Sequence, residues 1–186
     1  MFHNLKKLKY LFLQFNEIEI VHSGVFRGLM KLEYLDITWN LISYIDNYAF
    51  QDTLNLEDLY LSYNRIYSIE PNMLHGLQKL NNIYLDSNEI EIIHSGVFGG
   101  LMNLEKLDLS SNQIGFVEKS EFQNFKTLNR LNLKSNKLVY LDSNVVQSYT
   151  NLKNFCLYGN QFPANFTINY DGLNNLLQSE IWSRYC

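Results

Sequence analysis

The 186-residue chain is poor in cysteine and in positive charge, and each shortage excludes a class of protein. Two cysteines are too few for a disulfide framework, and they form no C-x-x-C pair of the kind that binds zinc. Fifteen Lys and Arg against nineteen Asp and Glu leave a net charge of -4, which disfavours a nucleic-acid partner. No apolar run approaches the ~18 residues of a membrane span. Hydrophobic residues, at 46%, are nevertheless abundant enough for a core, which excludes a disordered chain.

An internal repeat of 24 residues dominates what is present. The pattern L-x-x-L-x-L-x-x-N begins at Leu8 and continues through Leu11, Leu13 and Asn16. It occurs seven times without an insertion or deletion, and such a fixed period is typical of a solenoid. The asparagines that close the pattern are Asn16, Asn40, Asn64, Asn88, Asn112, Asn136 and Asn160.

The physical chemistry of one repeat predicts how the repeats associate. In L-x-L both leucines lie on one face of a short strand, and the asparagine follows where the chain leaves that strand. Its amide can hydrogen-bond the backbone of the turn from inside, so we expect a structural asparagine ladder. One repeat cannot bury its apolar face alone, so the repeats must stack. We therefore predict a parallel sheet with one strand per repeat, on the concave side because strands pack more closely than the Phe-bearing segments opposite.

These residues resemble the typical extracellular class of leucine-rich repeats over nearly the whole chain. Further columns match its consensus, among them the one that holds Phe26 and Phe50. The resemblance implies an α/β repeat solenoid, a horseshoe with the parallel β-sheet on the concave side and irregular or short helical segments on the convex side. The chain is similar to arthropod leucine-rich immune and Toll-like ectodomain proteins, which implies a receptor ectodomain or secreted glycoprotein of innate immunity.

The two ends of the chain differ from the repeats between them. Residues 1–7 are expected to be the tail of an incomplete repeat, residues 8–162 the seven repeats with the last one degenerate, and residues 163–186 a C-terminal cap. In that cap, Leu173, Leu176, Leu177 and Ile181 are spaced as one face of a helix, with Asp171 as its N-cap. We expect a signal peptide and an N-terminal cap upstream of Met1. The alternative is that the uncapped N-terminal edge is an interface between copies of the chain.

Two further features of the C-terminal region bear on the compartment. Cys156 lies at a solvent-facing phase of the last predicted strand, and a bond to Cys186 would contribute roughly 3 to 4 kcal/mol in the chain-entropy model. Extracellular caps of this kind usually carry four cysteines, so either the cap is a reduced variety or Cys186 pairs with a residue beyond this chain. Asn165 begins the one N-x-S/T sequon, a candidate glycosylation site.

No catalytic motif is present in the sequence, which has no G-x-S-x-G, H-E-x-x-H, P-loop or G-x-G-x-x-G. We therefore expect no enzyme activity, no metal and no cofactor. The variable positions around L-x-L, which would face solvent on the concave side, carry the functional information. Eight aromatic residues fall on the first four repeats: Tyr10, Phe12, Phe15, Tyr34, Trp39, Tyr60, Tyr63 and Tyr84.

These aromatic residues have two interpretations. Strands about 4.8 Å apart would merge them into one exposed patch, and exposed aromatic patches mark protein interfaces. Alternatively, like side chains stack across strands and only stabilise the sheet. Their concentration in four repeats favours the binding interpretation, because a stabilising ladder has no reason to stop there. A secondary polar surface follows, made of Lys106, Asp108, Arg130, Asn132 and Lys134.

The sequence thus predicts an extracellular protein-binding module that recognises a protein or microbial ligand, or a receptor, through its concave face. It predicts no insertion of this chain into a membrane. The alternative is a structural or adhesion protein that self-assembles through the solenoid edge or the convex surface. An intracellular scaffold is a third hypothesis, which the repeat subclass disfavours.

Overall fold

Seven short parallel strands, one per repeat, form the main sheet in the computed structural model, which describes residues 2, 4–117, 125–141 and 151–163. The strands lie side by side in chain order, without a crossover between non-neighbouring repeats. They are β1 (Tyr10–Phe12), β3 (Tyr34–Asp36), β5 (Asp58–Tyr60), β7 (Asn82–Tyr84), β9 (Lys106–Asp108), β10 (Arg130–Asn132) and β11 (Asn154–Cys156).

Equivalent residues of neighbouring repeats pair directly across this sheet. Tyr10 pairs with Tyr34, and Leu11 pairs with Leu35. Residues 24 positions apart in the sequence therefore lie side by side on neighbouring strands. The central residue of each strand from β3 to β11 points inward and is buried, while its two neighbours face the other way. The predicted solenoid with a parallel sheet is confirmed.

The core is a stack of repeated columns. The leucine and isoleucine columns of the strands are buried almost completely from Leu32 onward. Opposite the sheet, the ring of Phe26 stacks between those of Phe2 and Phe50, with centroids 6.4 and 5.7 Å apart. Thr53 is the polar exception in its column, and its buried hydroxyl donates to the Phe50 carbonyl at 2.8 Å. A buried hydroxyl with a partner costs little, so the column tolerates it.

The asparagine of each repeat ties its own turn to the preceding one. The Asn64 side chain, for example, is buried, and its Nδ2 donates to the Leu61 carbonyl of its own turn and to the Ile37 carbonyl of the preceding turn, each at 3.0 Å. Its Oδ1 accepts the backbone N–H of Ile42 at 3.0 Å. The first asparagine differs, because Asn16 is exposed and bonds only the carbonyls of Leu13 and Gln14. The same three-way contact is made by Asn40, Asn88, Asn112, Asn136 and Asn160.

The residue before each asparagine adopts the left-handed conformation, which turns the chain so that the amide points inward. Its φ angle is between 54° and 58° in six repeats and 78° at Gly159. Residues other than glycine adopt this region at a cost of roughly 1 to 2 kcal/mol. The six side chains that accept this cost are Phe15, Trp39, Tyr63, Ser87, Ser111 and Ser135.

Four two-residue strands lie beyond the asparagine turns and form the flank of the solenoid. They are β2 (Ile20–Val21), β4 (Tyr44–Ile45), β6 (Ser68–Ile69) and β8 (Ile92–Ile93). β2 pairs with β4 and β6 pairs with β8, both in parallel, so the flank is made of separate pairs rather than of one continuous sheet.

The convex side consists of turns in the part of the chain that the structure describes, and no helix occurs there. The short helical segments that the resemblance implied are therefore not supported. Positive φ angles at Gly24, Gly28, Gly76 and Gly96 supply the reason, since a left-handed residue cannot continue a right-handed helix. The expected capping helix from Asp171 lies outside the described residues. Over those same residues, no helix is long and apolar enough to cross a membrane.

We expect Asn64→Ala to lower the free energy of unfolding by about 3 kcal/mol, because it leaves buried groups of two turns without partners. The groups are the carbonyls of Leu61 and Ile37 and the N–H of Ile42. Urea unfolding followed by circular dichroism measures the change. Asn16→Ala is the matched control, with an expected loss below about 1 kcal/mol, since its amide is exposed. Equal losses in the two variants would contradict the bridging role.

Candidate functional site

Five of the eight predicted aromatic residues form a row along the strands, here called the strand row. Its members are Tyr10, Phe12, Tyr34, Tyr60 and Tyr84. The ring centroids of Phe12 and Tyr34 are 5.2 Å apart, those of Tyr34 and Tyr60 are 4.9 Å apart, and those of Tyr60 and Tyr84 are 4.7 Å apart. The row therefore crosses four repeats with neighbouring rings in contact.

The other three aromatic residues form a second row at the left-handed turn positions, here called the turn row. Trp39 is stacked between Phe15 and Tyr63, with centroid distances of 5.9 and 4.1 Å. Their exposed fractions are 73% for Phe15, 50% for Trp39 and 44% for Tyr63. The eight aromatic residues thus form two ladders of stacked rings.

Stacking decides which parts of these rings meet solvent. Neighbouring rings cover each other's faces, so the ring edges and the tyrosine hydroxyls are the parts left to contact a partner. Burial raises the pKa of Tyr34, Tyr60 and Tyr84, and the nearby Asp58 carboxylate raises all three further. These tyrosines are therefore neutral hydrogen-bonding groups at physiological pH.

Carboxylates are interleaved with the aromatic rows. Asp36 pairs with Tyr60 across β3 and β5, and Asp58 pairs with Tyr34 on the same strands. Each is held by a local contact. The hydroxyl of Thr38 donates to Asp36 Oδ1 at 2.7 Å, and Asn82 Nδ2 donates to Asp58 Oδ1 at 2.5 Å. The sheet face around the strand row is therefore acidic as well as aromatic.

Asp86 is a third carboxylate on this face, and its surroundings disfavour its charged form. Burial raises the pKa of Asp86, and the neighbouring Asp108 raises it further, while a hydrogen bond donated by the Ser62 hydroxyl lowers it. When the Asp86 carboxyl is ionised, it adds negative charge to the sheet face and lowers the free energy of unfolding.

The predicted secondary polar surface is only partly accessible. Asn132 is 5% exposed, its Nδ2 donates to Asp108 Oδ2 at 2.8 Å, and its Oδ1 accepts the Lys134 backbone N–H at 3.2 Å. Its amide is thus committed within the sheet, and it is not placed to contact a ligand. Lys106, Arg130 and Lys134 are half-buried on the neighbouring positions and carry the positive charge of this end of the sheet.

The C-terminal candidates are less fully described. Cys156 is buried, although the strand phase predicted a solvent-facing position. Its predicted partner Cys186 and the sequon at Asn165 lie outside the described residues, so the disulfide and the glycan stay predictions. Within the described ranges, no three His, Cys, Asp or Glu side chains meet to form a metal site.

The comparisons with known proteins address the family directly. The family model described as "Leucine rich repeat" matches residues 1–42, 32–90, 54–114, 78–138 and 102–162, which together span most of the chain. The chain belongs to the leucine-rich repeat family. No curated protein matches the sequence of this leucine-rich repeat chain.

A solved structure supports the same fold. The leucine-rich repeat chain superposes on a chain of the Drosophila Toll–Spatzle complex in its glycosylated form, with a TM-score of 0.74 and 21% identity. The match covers 84% of this chain and 22% of the other, so this chain spans less than a quarter of that neighbour's length.

Sequence reasoning missed two features of the leucine-rich repeat face. It included Phe15, Trp39 and Tyr63 among the candidate binding residues without recognising that their position requires a left-handed backbone. It also left out the acidic residues between the aromatic rows. One column of the sequence could have indicated this acidic face. It holds Thr38, Ser62, Asp86 and Ser110, and its hydroxyls donate hydrogen bonds to aspartates.

We expect Asp86→Asn to raise the midpoint of thermal unfolding at pH 7, because the amide removes a half-buried charge and can still accept the Ser62 hydrogen bond. A raised folded-state pKa means that this carboxyl stabilises the fold below its unfolded pKa and loses that contribution as pH rises through the folded value. The advantage of the variant should therefore shrink toward about pH 4, where the wild-type carboxyl becomes protonated.

The matched control is Asp52→Asn, at an aspartate in a convex turn, for which a smaller change in the unfolding midpoint is expected. Thermal unfolding followed by circular dichroism at both pH values gives the comparison. An unchanged midpoint for Asp86→Asn at pH 7 would contradict the assigned cost of this carboxylate.

Proposed function

We propose that this chain is part of an extracellular protein-binding module and that it holds a protein partner on the sheet face, with the strand row and the turn row at the centre of the contact. Members of the leucine-rich repeat family typically act as interaction modules rather than as enzymes, which agrees with this assignment. The aromatic rings supply apolar contact area at low entropic cost, and the tyrosine hydroxyls supply hydrogen bonds.

The single observation that carries the proposal is the turn row. Phe15, Trp39 and Tyr63 place large apolar rings in a left-handed backbone position and leave them about half or more exposed. Later repeats place serine or glycine at the same position, so the fold does not need aromatic rings there. Exposed apolar rings cost stability, and contiguous exposed rings are typical of interaction surfaces.

The charge of the face narrows the chemistry of the partner. Asp36, Asp58 and Asp86 lie among the aromatic residues, whereas Lys106 and Arg130 lie beyond them on β9 and β10. A partner with basic residues over the aromatic part and acidic residues over the last strands would be complementary. Stacked rings that present their edges suit an irregular protein surface better than a flat ring system.

The Toll–Spatzle neighbour is consistent with innate recognition by a receptor ectodomain, which is the role we propose. The second candidate is a structural or adhesion protein, in which the ladders only stabilise the sheet and the chain self-assembles through the N-terminal edge or the convex surface. A pocket of about 430 Å³, lined by Phe2, Leu13, Ile18 and Val25 among others, would supply apolar surface for such self-assembly.

The test is alanine substitution on the sheet face. We expect Trp39→Ala, Tyr60→Ala and Tyr84→Ala each to weaken partner binding at least about tenfold, as loss of a central aromatic residue does. The probe is an array of individually purified secreted proteins, Drosophila Spatzle among them, screened with the fluorescently labelled chain and followed by titration of each hit.

The matched control is Tyr48→Ala, an exposed tyrosine on the convex side. Its hits and affinities should equal those of the wild type, and circular dichroism should show that all variants fold. Hits that bind the three sheet-face variants as tightly as the wild type would overturn the proposal.

The compartment has a separate test. If the chain is extracellular, as we propose, the protein secreted from eukaryotic cells should have no free thiol, because Cys156 and Cys186 would then be oxidised. A thiol-reactive dye applied to the denatured protein measures this, with a chemically reduced sample as the control. Two free thiols in the secreted protein would contradict the extracellular assignment.

A further inference from the structure

An exposed apolar stripe runs along the flank of the solenoid, away from the sheet face. It is built from the residues that follow each asparagine, and its side chains recur once per repeat. The first six repeats each contribute one exposed side chain: Ile20, Tyr44, Ile92, Phe116 and Tyr140 at one position of the repeat, and Tyr67 one residue earlier. Contiguous apolar stripes of this kind mark interaction sites.

The charges beside the stripe follow an ordered pattern. Glu17 lies in the first repeat, Arg65 in the third, Glu89 in the fourth and Lys137 in the sixth, and all four are exposed at the same position of the repeat. Arg65 makes no ion pair with Glu89, although they are one repeat apart, whereas Lys9 and Glu33 pair at 2.6 Å across the same interval. Lys137 reaches only the Gln113 amide, at 2.9 Å. These charges are therefore left for a contact outside the chain.

We propose that the flank binds a second copy of this chain in an antiparallel arrangement about a two-fold axis. Such an axis between the third and fourth repeats places the first repeat opposite the sixth of the other copy and the third opposite the fourth. Arg65 then faces Glu89, and Glu17 faces Lys137. A parallel arrangement would instead place each repeat opposite its own copy, with Arg65 against Arg65 and Glu89 against Glu89, so the charges select the antiparallel one.

The shape of the flank agrees with the same axis. A pocket of about 550 Å³ opens between the fourth and fifth repeats, and Gly115 has no side chain to fill it. Its lining includes Tyr67, Glu91, Ile92, Gln113, Phe116 and Lys137. The antiparallel arrangement brings the second and third repeats of the other copy to this pocket. The exposed ring of Tyr44 lies in the second repeat, whereas Tyr67 lines the pocket of its own copy and donates its hydroxyl to Glu91 Oε2 at 3.0 Å. The Tyr44 ring of each copy thus has a pocket to enter that offers both apolar and polar side chains, as central aromatic residues of interfaces do.

The experiment uses the full chain and measures its molar mass by sedimentation velocity over a range of concentrations. We expect dimers, and we expect Arg65→Glu or Glu89→Arg alone to weaken dimerisation at least about tenfold. The double variant Arg65→Glu with Glu89→Arg exchanges the two charges and should restore it. Lys79→Glu, on an exposed lysine of the convex side, is the control and should leave dimerisation unchanged.

Filling the pocket gives a second, independent variant. A Cβ at Gly115 meets no atom within 4 Å and the backbone there needs no positive φ, so Gly115→Leu should fold and occupy the space meant for a ring of the other copy. Gly100→Leu is the matched control, since a Cβ at Gly100 also meets nothing within 4 Å. We expect the first to weaken dimerisation at least about tenfold and the second to leave it unchanged.

Two results would overturn the proposal. One is a monomer at about 100 μM, a concentration at which a weak specific interface is occupied. The other is a dimer that neither Arg65→Glu nor Gly115→Leu weakens, which would assign self-association to the N-terminal edge or another surface. Binding of a partner to the sheet face is unaffected by either result, because none of the substituted residues lies on the strand row or the turn row.

Discussion

The contact on which this solenoid depends is the asparagine side chain that joins two successive turns. Each buried amide donates to one carbonyl of its own repeat and one of the repeat before, and it accepts an N–H from that earlier repeat. No single turn could satisfy these groups in an apolar interior. The bond pattern therefore makes every repeat require its neighbour, which is why the period of 24 is kept without an insertion.

This contact also constrains the sheet face. For the amide to point inward, the residue before it must adopt the left-handed conformation, at whatever cost its side chain brings. In three repeats the residue in this conformation is aromatic, namely Phe15, Trp39 or Tyr63. Their rings stack to form the turn row. A structural requirement of the backbone thus presents aromatic side chains at the rim of the sheet, beside the tyrosines of the strands.

Because the repeat length is constant, equivalent residues of successive repeats stack into columns along the solenoid. Columns that face inward hold apolar residues with few exceptions, because the core has a similar shape in every repeat. Columns that face outward are free to vary, and their variation generates distinct surfaces on one scaffold. The aromatic and acidic sheet face is one such surface, and the apolar flank with its alternating charges is another. They lie on different sides of the solenoid, so a contact at one surface would leave the other accessible.

The sequence by itself determined the repeat, the parallel sheet and the inward columns, since period and apolar spacing alone specify which residues must be buried together. It also identified the aromatic residues of the face. Only the tertiary structure decided that these rings form two ladders and that Tyr44 and Phe116 lie on one exposed flank. It also decided that the buried Asn132 side chain donates its hydrogen bond to Asp108. Those features depend on the contact between side chains 24 residues apart, and a linear pattern records that spacing without recording which contacts are made.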